Sequence, residues 1–203
     1  MLDRGNLYLI DYALSRLPSN ASLVEIGSFC GLSTNLITYY KSKHRVTNKL
    51  FTCDKWEFEG SESEYVGDSS VLFSNYKGLV RDSFLRNTHT SSGADLLFSI
   101  EAFSNEFFSL WKEGRVVQDI FKRSIALGGP ISFCYVDGNH SYDGAKADFL
   151  NCDAFLEVGS FLLFDDSIWQ GFGVHRLMPE VLATNRYQLE ATKRNHLFRK
   201  TRS

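Results

Sequence analysis

The chain has 203 residues, 43% of them apolar, and its 22 basic and 24 acidic residues leave a formal charge of -2. That length and apolar content suffice to close one hydrophobic core without staples, and the charge gives no electrostatic grip on a nucleic-acid backbone. A membrane span is excluded too, because no apolar run approaches the roughly 20 residues that one requires.

Leu7, Ile10, Ala13, Leu14 and Leu17 recur at helical spacing, and Pro18 ends that helix. It either covers the sheet or joins a homodimer interface. Leu23–Ile26 reads as a buried strand that enters a tight turn at Gly27. Residues 31–40 then read as a helix with Leu32, Leu36, Ile37 and Tyr40 toward the sheet, and Leu50–Cys53 as a second strand ending on Asp54. Strand, glycine turn, helix, strand and acid in this order open a doubly wound α/β sheet.

The acidic, Ser- and Gly-containing stretch 57–68 is expected to be a mobile loop. A helical pattern covers 71–85, a turn-rich connection 88–93, and a third strand 96–100, with a short helix over 105–111. Residues 115–127 are expected to be helical. Gly128-Gly129-Pro130 then precede a strong strand at Ile131–Val136. A helix over 145–156, a strand at Phe161–Phe164, a helix over 174–183 and a terminal antiparallel hairpin (187–191 with 196–199) complete the chain. The domain layout expected is an N-terminal helix over residues 1–20 packed on one α/β domain over 21–203.

Cysteines 30, 53, 134 and 152 show no zinc-ligand spacing, and three fall in or beside core strands, as buried free thiols do. The opening residues lack the layout of a signal peptide, so a reducing, cytoplasmic setting is expected.

Chemistry concentrates at strand ends. Val136-Asp137-Gly138-Asn139-His140 and Phe164-Asp165-Asp166 each put acids directly after an apolar run. In an open parallel sheet both sets can meet at the carboxyl edge, where such folds bind ligands. Carboxylates and an imidazole in one crevice suit a divalent cation or acid/base chemistry. Oxygen donors without cysteine favour Mg²⁺ or Mn²⁺ over structural zinc. His140 is the candidate base, because imidazole titrates near neutrality.

Upstream, Glu25-Ile26-Gly27-Ser28-Phe29-Cys30-Gly31 frames the first turn with two glycines. This is neither a dinucleotide-binding G-x-G-x-x-G nor a phosphate loop, and Glu25 would repel a pyrophosphate. Asp54 is placed to accept hydrogen bonds from a ribose diol. Ser28 is a ligand donor or a local cap, and Phe103-Ser104 could line an adenine pocket.

The 25–31 motif resembles the first motif of class I S-adenosylmethionine-dependent methyltransferases. The runs Tyr135–Asp148 and Leu156–Asp166 resemble the methyltransferase domain 24 group, related to macrocin-type sugar O-methyltransferases. The resemblance covers nearly everything from Leu23 onward. It implies a single Rossmann-like sandwich, mostly parallel, closed by a C-terminal antiparallel hairpin. It also implies S-adenosylmethionine held by Glu25, Gly27, Ser28, Gly31, Asp54 and Ser104, and a metal held by Asp137, Asp165 and Asp166. The acceptor it implies is a hydroxylated small molecule; Asp137, with His140 from its own chemistry, is expected at the reacting oxygen. One departure stands out: some macrocin-related enzymes carry an acid where this chain has Asn139, and an amide cannot act as a base. Asp143 and Asp148 read as first-turn and solvent-facing helix residues. Trp56, Tyr65, Trp169 and Phe172 are candidates for an apolar lid over the acceptor.

Overall fold

The computed structural model describes residues 3–57, 63–93 and 96–203. Among the described residues, helices α1 (Arg4–Leu14), α2 (Leu32–His44), α3 (Phe73–Ser92), α4 (Ser104–Lys112), α5 (Tyr142–Asp153) and α6 (Val174–Ala183) are interspersed with nine strands. These are β1 (Ser22–Ile26), β2 (Leu50–Cys53), β3 (Phe98–Ile100), β4 (Val116–Gln118), β5 (Ser124–Ala126), β6 (Ile131–Val136), β7 (Leu156–Phe164), β8 (Tyr187–Thr192) and β9 (His196–Lys200).

Seven strands form one sheet in the order β3-β2-β1-β6-β7-β9-β8. Pairs β3/β2, β2/β1, β1/β6 and β6/β7 are parallel, while β9 runs antiparallel to both β7 and β8. The chain order reverses between β1 and β6, so the crevice at their carboxyl ends is the topological switch point. Among the described residues no helix is long and apolar enough to cross a membrane.

Strand parity divides the core. Cys134, Val136, Leu162 and Phe164 pack with α4, α5 and α6, whereas Phe133, Tyr135, Phe161 and Leu163 pack with α1, α2 and α3. The apolar stripe of α1 (Leu9, Ile10, Ala13 and Leu14) is spent on this second layer, so the helix covers the sheet. The helix starts where Asp3 accepts the Gly5 amide at 2.7 Å.

Several expectations need correction. Residues 115–127 form a β4–β5 hairpin rather than a helix. Val116, Val117 and Ile125 are β-branched, which disfavours a helix, and Asp119 closes the tip by accepting the amides of Phe121 and Arg123. Arg123 then bonds the carbonyls of Leu96 and Leu97 and lies 4.4 Å from the ring centre of Phe98, pinning the hairpin beside β3. Helix α3 continues through Thr88–Ser92, where the hydroxyls of Thr88 and Thr90 turn back to the carbonyls of Phe84 and Arg86, four residues earlier, and leave the backbone amides to the helix.

Strand β7 starts at Leu156, five residues before the expected Phe161. Gly159, at φ +93°, carries it past Pro18, which a Cβ there would meet at 3.0 Å. Leu32 faces solvent, not the sheet. The buried face of α2 is largely polar instead, with Ser33, Thr34, Thr38 and Lys41 beside Ile37 and Tyr40. Within the expected loop 57–68, residues 58–62 lie outside the described residues, and Tyr65 pairs with Leu72 in an isolated bridge. Cys53, Cys134 and Cys152 are buried free thiols, with the last two sulfurs 2.9 Å apart.

Candidate active site

The β1 turn and the β6 end are built against each other. Gly27 sits at φ +78°, and a Cβ there would lie 2.0 Å from the carbonyl oxygen of Asp137. Only glycine allows both the left-handed backbone and this approach. Its amide bonds the Cys53 carbonyl at 2.9 Å, and the Asp137 amide bonds Ile26 at 2.8 Å. Three strand ends are thereby locked at one edge. Gly31 has a related use: at φ +85° it opens α2, and a Cβ would press on Thr88 and Phe84 of α3.

Asp54 organises the turn. Its Oδ2 accepts the amides of Ser28 and Phe29, each at 2.8 Å, and its Oδ1 accepts the amide of Trp56 at 2.6 Å. Trp56 in turn donates its indole N–H to the Phe29 carbonyl at 3.0 Å. The carboxylate stays partly exposed at the edge. Burial raises its pKa, and the three amides oppose that. Trp56 is fully buried, so it braces the turn and forms no lid.

Glu25 is sealed beneath the same turn. Its Oε2 accepts the Thr34 hydroxyl at 2.5 Å and Ser33 also stabilises the carboxylate, while Oε1 and, in the same turn, Ser28 Oγ are buried with no well-aligned partner. Burial pushes the carboxyl up to about 8, with Asp137 and Asp54 adding like charge. Two orphaned polar atoms at a strand-to-helix turn fit a ligand that brings its own donors.

Asp148 departs from expectation. It is buried, not solvent-facing, and its carboxyl is held by Ser104. It lies so close to Gly138 that a Cβ there would meet its Oδ2 at 2.8 Å. Burial raises its pKa to about 6. Sequence reasoning missed this residue because its partners stand at the ends of other elements. Ser104, a candidate on the cofactor side, is thus engaged from below by α5.

The late acids part company. Asp166, at φ +50°, turns outward, and Asp137, His140 and Asp166 bring one ligand atom each within 4.8 Å of one another. His140 Nε2 lies 3.2 Å from Asp166 Oδ2 and 3.7 Å from Asp137 Oδ1. Asp137 raises the imidazole pKa, and burial raises that of Asp137 to about 7.

Asp165 points the other way, into a buried network. It accepts Tyr135 Oη at 2.5 Å, Asn6 Nδ2 at 3.1 Å, and Asn195 Nδ2. The structure therefore groups His140, rather than Asp165, with Asp137 and Asp166. Asn139 accepts the Ser141 amide at 2.8 Å and packs under Gly144, so it shapes the entry to α5. Beyond the acids, Phe172 stacks on His140 at 4.3 Å, and Trp169 meets Phe172 edge-on at 4.3 Å.

Comparison with solved structures returns the same fold over very different acceptors. The O-methyltransferase NovP matches at 15% identity and a TM-score of 0.65, over 98% of this chain and 80% of that one. CalS11, a TDP-rhamnose 3'-O-methyltransferase of calicheamicin biosynthesis, matches at 16% and 0.61, over 98% and 81%. An rRNA methylase from Streptococcus thermophilus matches at 12% and 0.58, over 100% and 99%. Such likeness shows the fold and does not choose an acceptor. The model of the methyltransferase domain 24 family matches residues 24–167, from β1 through the acid pair after β7. Together with the switch-point geometry this makes the chain a member of that family, a class I S-adenosylmethionine-dependent methyltransferase.

Proposed function

We propose that this methyltransferase methylates a hydroxyl of a small molecule, with a divalent cation held by Asp137, His140 and Asp166. The observation that carries the reading is the approach of Gly27 to Asp137, which joins the cofactor turn and the acidic group at one edge. S-Adenosylmethionine supplies an electrophilic methyl group, and transfer requires the acceptor oxygen in line with it.

On the cofactor side, Gly27 and Gly31 give backbone access, Ser28 offers a hydroxyl beside Asp54, and Asp54 receives the ribose diol. Glu25 sets the charge beneath the turn, and Ser104 borders the base. On the acceptor side, two carboxylate oxygens and one imidazole nitrogen fit Mn²⁺ or Mg²⁺, with nitrogen tilting the preference to Mn²⁺. A bound cation lowers the pKa of a ligated hydroxyl. Without one, His140 Nε2 takes the hydroxyl proton, with Asp137 and Asp166 stabilising the imidazolium.

The TDP-rhamnose in the name of CalS11 is a hydroxylated small molecule, which supports an acceptor of that kind. The formal charge of -2 supplies no attraction for an RNA backbone. The test is methyl transfer from labelled S-adenosylmethionine to a panel of sugars and phenols, with Mn²⁺ and after chelation. Turnover should need the cation and fall at least about 100-fold in Asp166→Asn, in line with losing a metal ligand. Turnover that survives exhaustive chelation removes the metal from the mechanism, and failure to bind S-adenosylhomocysteine removes the mechanism itself.

A further inference from the structure

We propose that Trp169 is the stacking platform for the acceptor, which is therefore a ring with a flat apolar face and hydroxyls on its rim. The inference rests on the methyl-transfer reading above and assigns the part of the site that receives the substrate's body.

The chain has three tryptophans, and two behave as core residues do. Trp56 and Trp111 are buried, with their indole N–H groups bonded to the carbonyls of Phe29 and Gly129. Trp169 is 58% exposed, an unusual state for the side chain with most to gain from burial.

Its placement is nevertheless specific. Gly171 lies beneath the indole, where a Cβ would meet Cε2 and Cζ2 at 3.0 Å, so the missing side chain lets the ring rest on backbone. Phe172 braces its edge at an interplanar angle of 87°. The Trp169 amide bonds the Asp166 carbonyl at 3.3 Å, tying the platform to the acid that faces His140.

From the indole the wall runs through the phenyl ring of Phe172 to the imidazole of His140, stacked on it at 16°, and then to the carboxylate of Asp166. It changes from apolar to hydrogen-bonding within three contacts. A ring seated on the indole would cover exposed apolar surface, and a rim hydroxyl directed past Phe172 would point toward the imidazole and the carboxylates. A linear alcohol would leave the indole wet, and a charged flat ligand without hydroxyls would leave the acids without donors. Catechols and pyranosides share the required chemistry, the first through π-stacking and the second through C–H groups on the ring face.

The indole N–H resonance that disappears in Trp169→Phe identifies this side chain in a ¹H–¹⁵N spectrum of the whole protein. Catechol and methyl α-D-glucopyranoside are then titrated separately. A saturable shift of that resonance with catechol marks the acceptor as a phenol, and one with the glucoside marks it as a sugar. Trp169→Ala should weaken binding of the active probe about ten-fold, and Trp169→Phe should retain most of it. Shifts with neither probe, or equal affinity in Trp169→Ala, would overturn the platform. Calorimetric binding of S-adenosylhomocysteine to the same samples separates the two ideas. Cofactor binding without a probe effect sinks the platform alone, whereas loss of cofactor binding sinks the methyl-transfer reading.

Discussion

Glu25 carries a fully buried carboxyl held by serine and threonine hydroxyls, and the cost of ionising there has a measurable sign. Its pKa is about 8 in the fold against 4.5 when solvated. Below pH 4.5 both states hold the proton and burial costs little. Between 4.5 and 8 the unfolded chain releases a proton that the fold retains, so this contribution to stability falls as pH rises, and it levels off above 8. Glu25→Gln keeps the acceptor for Thr34 and cannot ionise. Urea unfolding of the ligand-free protein from pH 5 to 8 should show Glu25→Gln gaining steadily on the wild type. Asp148, raised to about 6, adds a loss of the same sign to both proteins, whereas Asp137, raised to about 7, repels the Glu25 charge, so the difference reads Glu25 together with its coupling to Asp137. Parallel profiles would mean that Glu25 is charged and solvated in the fold.

At the scale of elements, the network beneath Asp165 joins three distant segments: Asn6 in α1, Tyr135 in β6 and Asn195 in the β8–β9 turn. Asn6→Ala removes the donor to Asp165 and the acceptor for Asn195, leaving buried groups unsatisfied. It should cost about 1–3 kcal/mol by chemical denaturation, whereas Leu7→Ala on the exposed side of the same helix should stay within about 0.5 kcal/mol. Similar costs for both would show that α1 is held by general packing alone.

This network also marks where sequence reading succeeded and where it ran short. The strands at 23–26, 50–53 and 131–136, and the terminal hairpin, were legible because apolar runs and turn residues agreed. So was the meeting of the acids after 136 and 164 at one carboxyl edge, where Asp137 and Asp166 do come together. The 115–127 hairpin was missed although its β-branched residues and Asp119 carried a local signal, because its strands are only three residues long and Arg123 holds them beside β3 from outside the segment's own pattern. The orientation of the acid pair was in principle readable. Asp165 continues the parity of Phe161 and Leu163 toward α1, so its neighbour is the one free to face the crevice. Asp148 was not readable, since its burial depends on Gly138 and Ser104.

For the whole molecule, the consequence of this architecture is that one ligand engages much of the sheet. Cofactor contacts proposed at β1, β2 and the start of α4 span elements that otherwise meet through the parallel pairs β1/β2 and β2/β3, the latter only three residues long. A ligand that binds the fold and not the unfolded chain stabilises it by mass action, about 2.7 kcal/mol at 100 times its Kd. For a chain of this size each kcal/mol raises Tm by roughly 2–4 °C, so saturating S-adenosylhomocysteine should raise it by about 5–11 °C. Mn²⁺ alone should also raise Tm, by an amount set by its concentration over its Kd, and Asp166→Asn should abolish that rise because it removes one of the three ligands. Asp54→Ala tests the cofactor arm. It should erase the S-adenosylhomocysteine shift and leave the Mn²⁺ shift intact, since Asp54 touches the turn and not the acidic group. If that variant loses both shifts, the two halves of the crevice are not separable and the turn holds the acids in place.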